Sequence, residues 1–289
     1  GNCGGGMYNL NSSPVLTDCK FLGNSVTCFD GPGMGGGICN WGECYMAAIN
    51  CVFTNNKANY GGGIYNSSSS TLIMVNSTLS GNIAEFYYGT GGGLDGGSGI
   101  INTCLFSGNQ AYNGGGAINS FDGDISYSVI MDNSVSYEGS GGGLQSCGGW
   151  INFCIISGNL ANWAWNGGGG LYDCSGRISN CIITDNMAWG GGDWNGLGGG
   201  LSYCDGPISN CVIAGNAAAS EDLGSWWPYA NYGAGLDECN GEITNCTIAC
   251  NKVYSNDHGG IGGGMANCGG SISNSIVWAN TAAANSQLS

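Results

Sequence analysis

Basic residues are almost missing from this chain: 289 residues hold 4 Lys or Arg, against 19 Asp or Glu, for a formal net charge of −15. Phosphate contacts need Lys and Arg, so nucleic acid is excluded as a partner. Charge of either sign is scarce, at 8% of residues against about a quarter in an ordinary globular domain. Proline is scarce too. Four Pro beside 59 Gly, with no Gly-x-y period, exclude a collagen-like chain. No apolar run approaches the roughly 20 residues of a membrane span. One His and no Cys-x-x-Cys leave no zinc site, and the expected metal count is none. Helical i, i+3, i+4, i+7 stripes never persist. The chain opens without Met or a signal-like segment, and so reads as a processed chain or a piece of a longer one.

What is present is repetition. Gly-Gly-Gly followed by an apolar residue recurs ten times, the apolar residue being Met7, Ile38, Ile64, Leu94, Ile118, Leu144, Leu171, Leu201, Leu236 and Met265. Two copies are relaxed, to Gly115-Gly116-Ala117 and Gly233-Ala234-Gly235. An apolar-x-x-Asn motif follows each copy and ends at Asn24, Asn56, Asn82, Asn109, Asn133, Asn159, Asn186, Asn216, Asn251 and Asn280. Two residues beyond every such Asn stands Ala or Val. The spacing from the Gly motif to Asn is nearly fixed, whereas the spacing from Asn to the next motif varies, so one half of each unit accepts insertions. Units of this length with short strands and tight turns describe a solenoid. Stacked rungs about 4.8 Å apart would pile identical residues into columns: aliphatic, Asn and Ala/Val. Parallel crossovers are right-handed in nearly all cases. The expected fold is therefore all-β, a right-handed parallel β-helix of about ten rungs, forming one domain over residues 1–289.

Gly115-Gly116-Ala117-Ile118 with Phe21-Leu-Gly-Asn24 or Phe106-Ser-Gly-Asn109 resembles the paired repeats of polymorphic outer-membrane proteins and of related bacterial β-helical surface proteins. The resemblance spans Gly4 to Asn280. It implies a secreted or surface-exposed passenger used in adhesion or as an external structure. The chain departs from that family in favouring Gly at the third motif position, and no C-terminal membrane barrel follows.

Seventeen Cys in a lightly charged chain point to an oxidising, extracellular or cell-surface setting. Five units carry Cys-x6-Cys: Cys44/Cys51, Cys147/Cys154, Cys174/Cys181, Cys204/Cys211 and Cys239/Cys246. This co-occurrence suggests a disulfide within the rung, the rival being two ladders of free thiols. The variable half concentrates aromatic residues, among them Trp163, Trp165, Trp189, Trp194, Trp226, Trp227 and Tyr229. Insertions at one point of every rung would emerge along one edge, making an acidic, aromatic ridge suited to glycan or to a neighbouring surface. No cofactor is expected. Asp and Asn of these loops leave Ca²⁺ as the one alternative, although no EF-hand or nonapeptide loop occurs.

The expected function is a non-catalytic extracellular structural protein, stacking head to tail into a filament or acting as an adhesin. Neither end shows a cap, which motivates the stacking. The alternative is a β-helix that binds or cleaves polysaccharide. Uronate lyase chemistry wants a basic side chain, and only Lys20, Lys57, Lys252 and Arg177 are available, while His258 stands alone.

Overall fold

A computed structural model describes residues 3–26, 31–85, 87–137, 139–163, 167–191, 195–220, 231–254 and 259–282. The described residues form an all-β parallel solenoid of about nine turns with no helix. Sheet I stacks ten strands, from Met7–Leu10 to Met265–Ala266; sheet II stacks ten, from Val15–Thr17 to Ile272–Ser273; sheet III stacks ten, from Lys20–Leu22 to Ile276–Trp278. Sheet IV holds eight, from Lys57–Ala58 to Lys252–Val253, and single bridges at Ser25 and Thr281 prolong it. A short pair, Asn231–Tyr232 with Gly260–Ile261, adds a fifth.

The registers place the repeated motifs in columns. Leu144 pairs with Leu171 and Leu171 with Leu201 on sheet I; Ile151, Ile178 and Ile208 align on sheet II; Ile156, Ile183 and Ile213 align on sheet III. All are fully buried and belong to one core running up the coil. The Ala/Val column lines sheet IV, with Ala84, Ala111, Val135 and Ala161 in a separate small cluster. At about 25 cal/mol per Å² of apolar area, these columns are the dominant stabilising term.

Backbone geometry explains the glycines. Gly141 has φ +67°, the left-handed region that residues with a Cβ rarely enter. Gly142 has no room for a side chain: a Cβ there would lie 2.5 Å from the Gly169 carbonyl oxygen of the next rung. The corner before each ladder Asn is also left-handed, at Asn55, Asp132 and Asp185 as well as at several glycines. Asn and Asp tolerate that conformation better than most residues, which accounts for the Gly, Asn or Asp favoured there.

The Asn ladder forms through all ten expected positions. In each step the side-chain Nδ2 and the backbone N–H of one Asn both donate to Oδ1 of the next; for Asn133 and Asn159 both distances are 3.0 Å. The remaining Nδ2 hydrogen donates to a carbonyl of the rung before, as from Asn159 to Ile130 at 3.0 Å. Each interior amide thus uses two donors and two acceptor sites, which is why Asn56 through Asn251 can be buried without penalty. A second, shorter ladder, Asn9–Asn40–Asn66, was not anticipated; its Nδ2 to Oδ1 distances are 2.7 and 2.6 Å.

The in-rung bridges expected for Cys44/Cys51, Cys147/Cys154, Cys174/Cys181, Cys204/Cys211 and Cys239/Cys246 are not formed, and all ten residues carry free thiols. A strand stands between the two members of each pair. Between Cys44 and Cys51 it is Tyr45–Ile49, which spans about 13 Å at the usual rise. Bridged Cα atoms lie within about 7 Å. All but Cys44 instead donate to the carbonyl two residues back, as Cys181 to Ser179 at 3.1 Å and Cys211 to Ser209 at 3.2 Å, whereas Cys44 donates to Trp41 at 3.4 Å. Ser77 and Ser128 make the same bond in the rungs where Ser replaces Cys.

Candidate functional site

The edge where sheet IV gives way to the inserted loops carries the most distinctive surface. Ala84, Ala111, Val135 and Ala161 point inward, and within three residues of each the chain leaves the sheet with an aromatic residue: Tyr87, Tyr112, Tyr137 and Trp163. Their rings follow one another up four consecutive rungs, with centroids 5.5, 5.3 and 6.2 Å apart. Backbone bonds keep the rings in step: Tyr112 N–H donates to Ala84 and Gly89, and Tyr137 N–H donates to Tyr112. Trp163 sits in left-handed backbone at φ +56°. Gly191 lies flat against its ring, where a Cβ would come within 2.6 Å.

Two open clefts flank Tyr87, which is 72% exposed. One, of about 490 Å³, is bounded by Ile83, Glu85, Tyr87, Gln110, Tyr112 and Ser136. The other, of about 360 Å³, is bounded by Pro32, Asn59, Tyr60, Tyr87 and Tyr88. Burial, followed by the negative charge of Asp95, raises the Tyr60 hydroxyl above its usual range, so it stays a neutral donor. Lys57 pairs with Glu85 beside the first cleft, leaving no unbalanced charge from either. The arrangement offers aromatic faces interleaved with amide and hydroxyl groups, the pattern that fits a polar ring such as a sugar.

Of the expected ridge, Trp163 is on this edge and Trp189 follows on the next rung, in the sheet IV strand Met187–Gly190. Trp165, Trp194, Trp226, Trp227, Tyr229 and His258 lie outside the described residues. Among the described residues, the stair consists of Tyr87, Tyr112, Tyr137 and Trp163.

A third cleft, of about 350 Å³, opens near the turn from sheet I to sheet II and contains Tyr65, Asn66, Asp95, Asn119 and Asp122. Burial pushes the Asp95 carboxyl up to about 6, although Asn119 Nδ2 at 2.6 Å and Thr90 Oγ1 at 3.1 Å donate to it. Asp237, five registers up the same column of sheet I, rises to about 7 through burial and the neighbouring charges of Glu238 and Cys239. Sequence reasoning missed both because they occupy the outward slot of a strand. It also missed the stacked pair Tyr127 and Phe153, with ring centroids 5.0 Å apart and planes nearly parallel, on left-handed corners. The available signal was two bulky aromatics in a slot that other rungs fill with Asn50, Asn76, Asn180 or Asn210.

Among the described residues no group of three or more His, Cys, Asp or Glu could hold a metal ion, and no helix is long and apolar enough to cross a membrane. Compared with protein-family profiles, curated proteins and solved structures, the chain gives no significant match.

Proposed function

We propose that this chain is a non-catalytic β-solenoid of the cell exterior, acting as an adhesin that grips neutral polysaccharide along its aromatic edge. The stair of Tyr87, Tyr112, Tyr137 and Trp163 beside two open clefts carries this reading. A rung rise of about 4.8 Å is close to the length of a single sugar unit, so successive rings can meet successive sugars. The net charge of −15 disfavours acidic glycans, whose carboxylates it would repel. The resemblance of the repeat to polymorphic outer-membrane proteins agrees with a surface role. Four Lys or Arg also offer few sites to trypsin-like proteases, which suits exposure.

The test is affinity electrophoresis in gels containing a panel of neutral polysaccharides, with electron microscopy of the same material. Retardation that Tyr112→Ala weakens at least tenfold supports the reading. Mobility unchanged in every gel, together with filaments in the micrographs, would replace it with end-to-end self-association. Cleavage of polysaccharide is the second reading, favoured by the near-neutral pKa of Asp95 in a cleft that also holds Asp122, since a general acid must hold its proton near neutrality. Release of reducing ends, abolished by Asp95→Asn, would decide for it.

A further inference from the structure

The free thiols stack in columns at two corners of the coil. Leu144 pairs with Leu171 and Ile151 with Ile178, so Cys147 and Cys174 occupy equivalent places between sheets I and II. The same registers continue through Cys204, Cys239 and Cys268. Between sheets II and III, Cys154, Cys181, Cys211 and Cys246 form a second column. All are buried except Cys268, which is partly so. Thiols of neighbouring rungs touch: Cys174 is hydrogen-bonded by Cys147 and by Cys204, which holds it well below the usual thiol range against the effect of burial. The hydrogen bond between Cys181 and Cys154 lowers the Cys154 thiol in the same way.

Equivalent Cα atoms one rung apart lie about 4.8 Å from each other. That separation falls inside the roughly 4.4–6.8 Å that a disulfide spans. Partners within a rung are held further apart by the intervening strand. We propose that the disulfide-forming pairs of this protein run between adjacent rungs, linking Cys174 to Cys147 or Cys204 and Cys211 to Cys181 or Cys246, and so staple the solenoid along its axis. The oxidant is a small disulfide such as oxidised glutathione. A Cys thiolate attacks one glutathione sulfur, forming a mixed disulfide and releasing one glutathione thiol. The thiol of the neighbouring rung then attacks the protein sulfur of that mixed disulfide and expels the second glutathione. Two cysteines are thereby oxidised by two electrons, one oxidised glutathione is reduced, and both protons leave on the glutathione products. In the folded chain the columns are closed to solvent, so the exchange belongs to folding.

The full chain is unfolded in urea with a reductant and refolded with reduced and oxidised glutathione. Recovery of the β-sheet circular dichroism spectrum is confirmed, remaining thiols are alkylated, and peptic peptides are mapped by mass spectrometry without reduction. Cross-linked peptides joining Cys174 to Cys147 or Cys204 are expected. A peptide joining Cys174 to Cys181, or complete alkylation of both columns in the refolded chain, overturns the proposal. Cys174→Ser supplies a second reading, and its fold is safeguarded because Ser70 already fills the same corner. With Cys174 gone, no thiol shares the corner of Cys147 in either adjacent rung, where Phe121 is its other neighbour, so its alkylation should become complete. Cys147 remaining linked, to Cys154, refutes the inter-rung pairing.

Discussion

Replacing Asn159 by Ala tests what holds one rung to the next. The native side chain takes part in four hydrogen bonds: its Oδ1 accepts from the backbone N–H and the Nδ2 of Asn133, both at 3.0 Å, and its Nδ2 donates to Ile130 at 3.0 Å and to Asn186 at 2.9 Å. Truncation strands two buried donors on Asn133 and leaves the Ile130 carbonyl short of a partner. Asn186 Oδ1 keeps the Asn159 backbone N–H at 3.0 Å and is only half deprived. At about 1–3 kcal/mol for each buried group left unsatisfied, the expected loss is about 4 kcal/mol. Asn24 is the internal comparison, being half-buried and donating through its side chain to Asn56 alone, at 2.9 Å. Asn24→Ala should therefore cost about 1 kcal/mol. Urea denaturation followed by far-ultraviolet circular dichroism measures both. Hydrogen exchange should locate the damage in the rungs of Asn133 and Asn186, because a solenoid couples chiefly to its nearest neighbours. A loss below about 1 kcal/mol for Asn159→Ala, or equal losses for the two variants, would show that aliphatic packing alone joins the rungs.

Acidity should stabilise this protein. Asp95 and Asp237 have pKa values raised from 3.8 to about 6 and about 7, so between about pH 4 and 7 the native state binds more protons than the unfolded chain. Stability is then greatest below about pH 4 and falls as pH rises through 6 to 7, by about 3 kcal/mol for Asp95. Thermal melts at pH 4 and pH 8 check the sign, and Asp95→Asn with Asp237→Asn should flatten the dependence. Gly142→Ala should cost about 3 kcal/mol by overpacking against the Gly169 carbonyl. Gly143→Ala should cost much less, because Ala117 occupies the equivalent place one rung away; equal midpoints in urea would contradict this. Thr103→Asn should raise the melting temperature, with a gain of about 1 kcal/mol, because Thr103 is held at φ +55° in a corner that other rungs fill with Asn.

The parallel coil was legible because each column repeats one residue type at one register, and periodicity needs no knowledge of the partner. Ladder positions, from Asn24 to Asn280, follow directly from that. The cysteines were misread for a related reason. Cys174 and Cys181 recur together, and co-occurrence along a chain says nothing about which neighbour in space is nearer. Ser77 and Ser128 were the visible clue, since a hydroxyl can replace a thiol that bonds to a carbonyl but cannot replace half of a disulfide. Asp95 stayed hidden because its burial comes from Tyr65 and Asn119 on the adjacent strands, not from its own motif. The aromatic stair was only partly legible: the edge could be placed from the insertion point, but the rings that line up depend on loop length.

The Asn ladder also gives the molecule a direction. At every step the Nδ2 of the lower rung donates and the Oδ1 of the upper rung accepts, from Asn24 at one end to Asn280 at the other. The amide dipoles are therefore aligned head to tail, as peptide dipoles are in a helix, and each bond polarises the next. The column is a vector, and the two faces of any rung are not interchangeable. A further rung, whether from the same chain or another, can join the ladder only in the same sense, so a β-coil fastened this way lengthens with a single polarity.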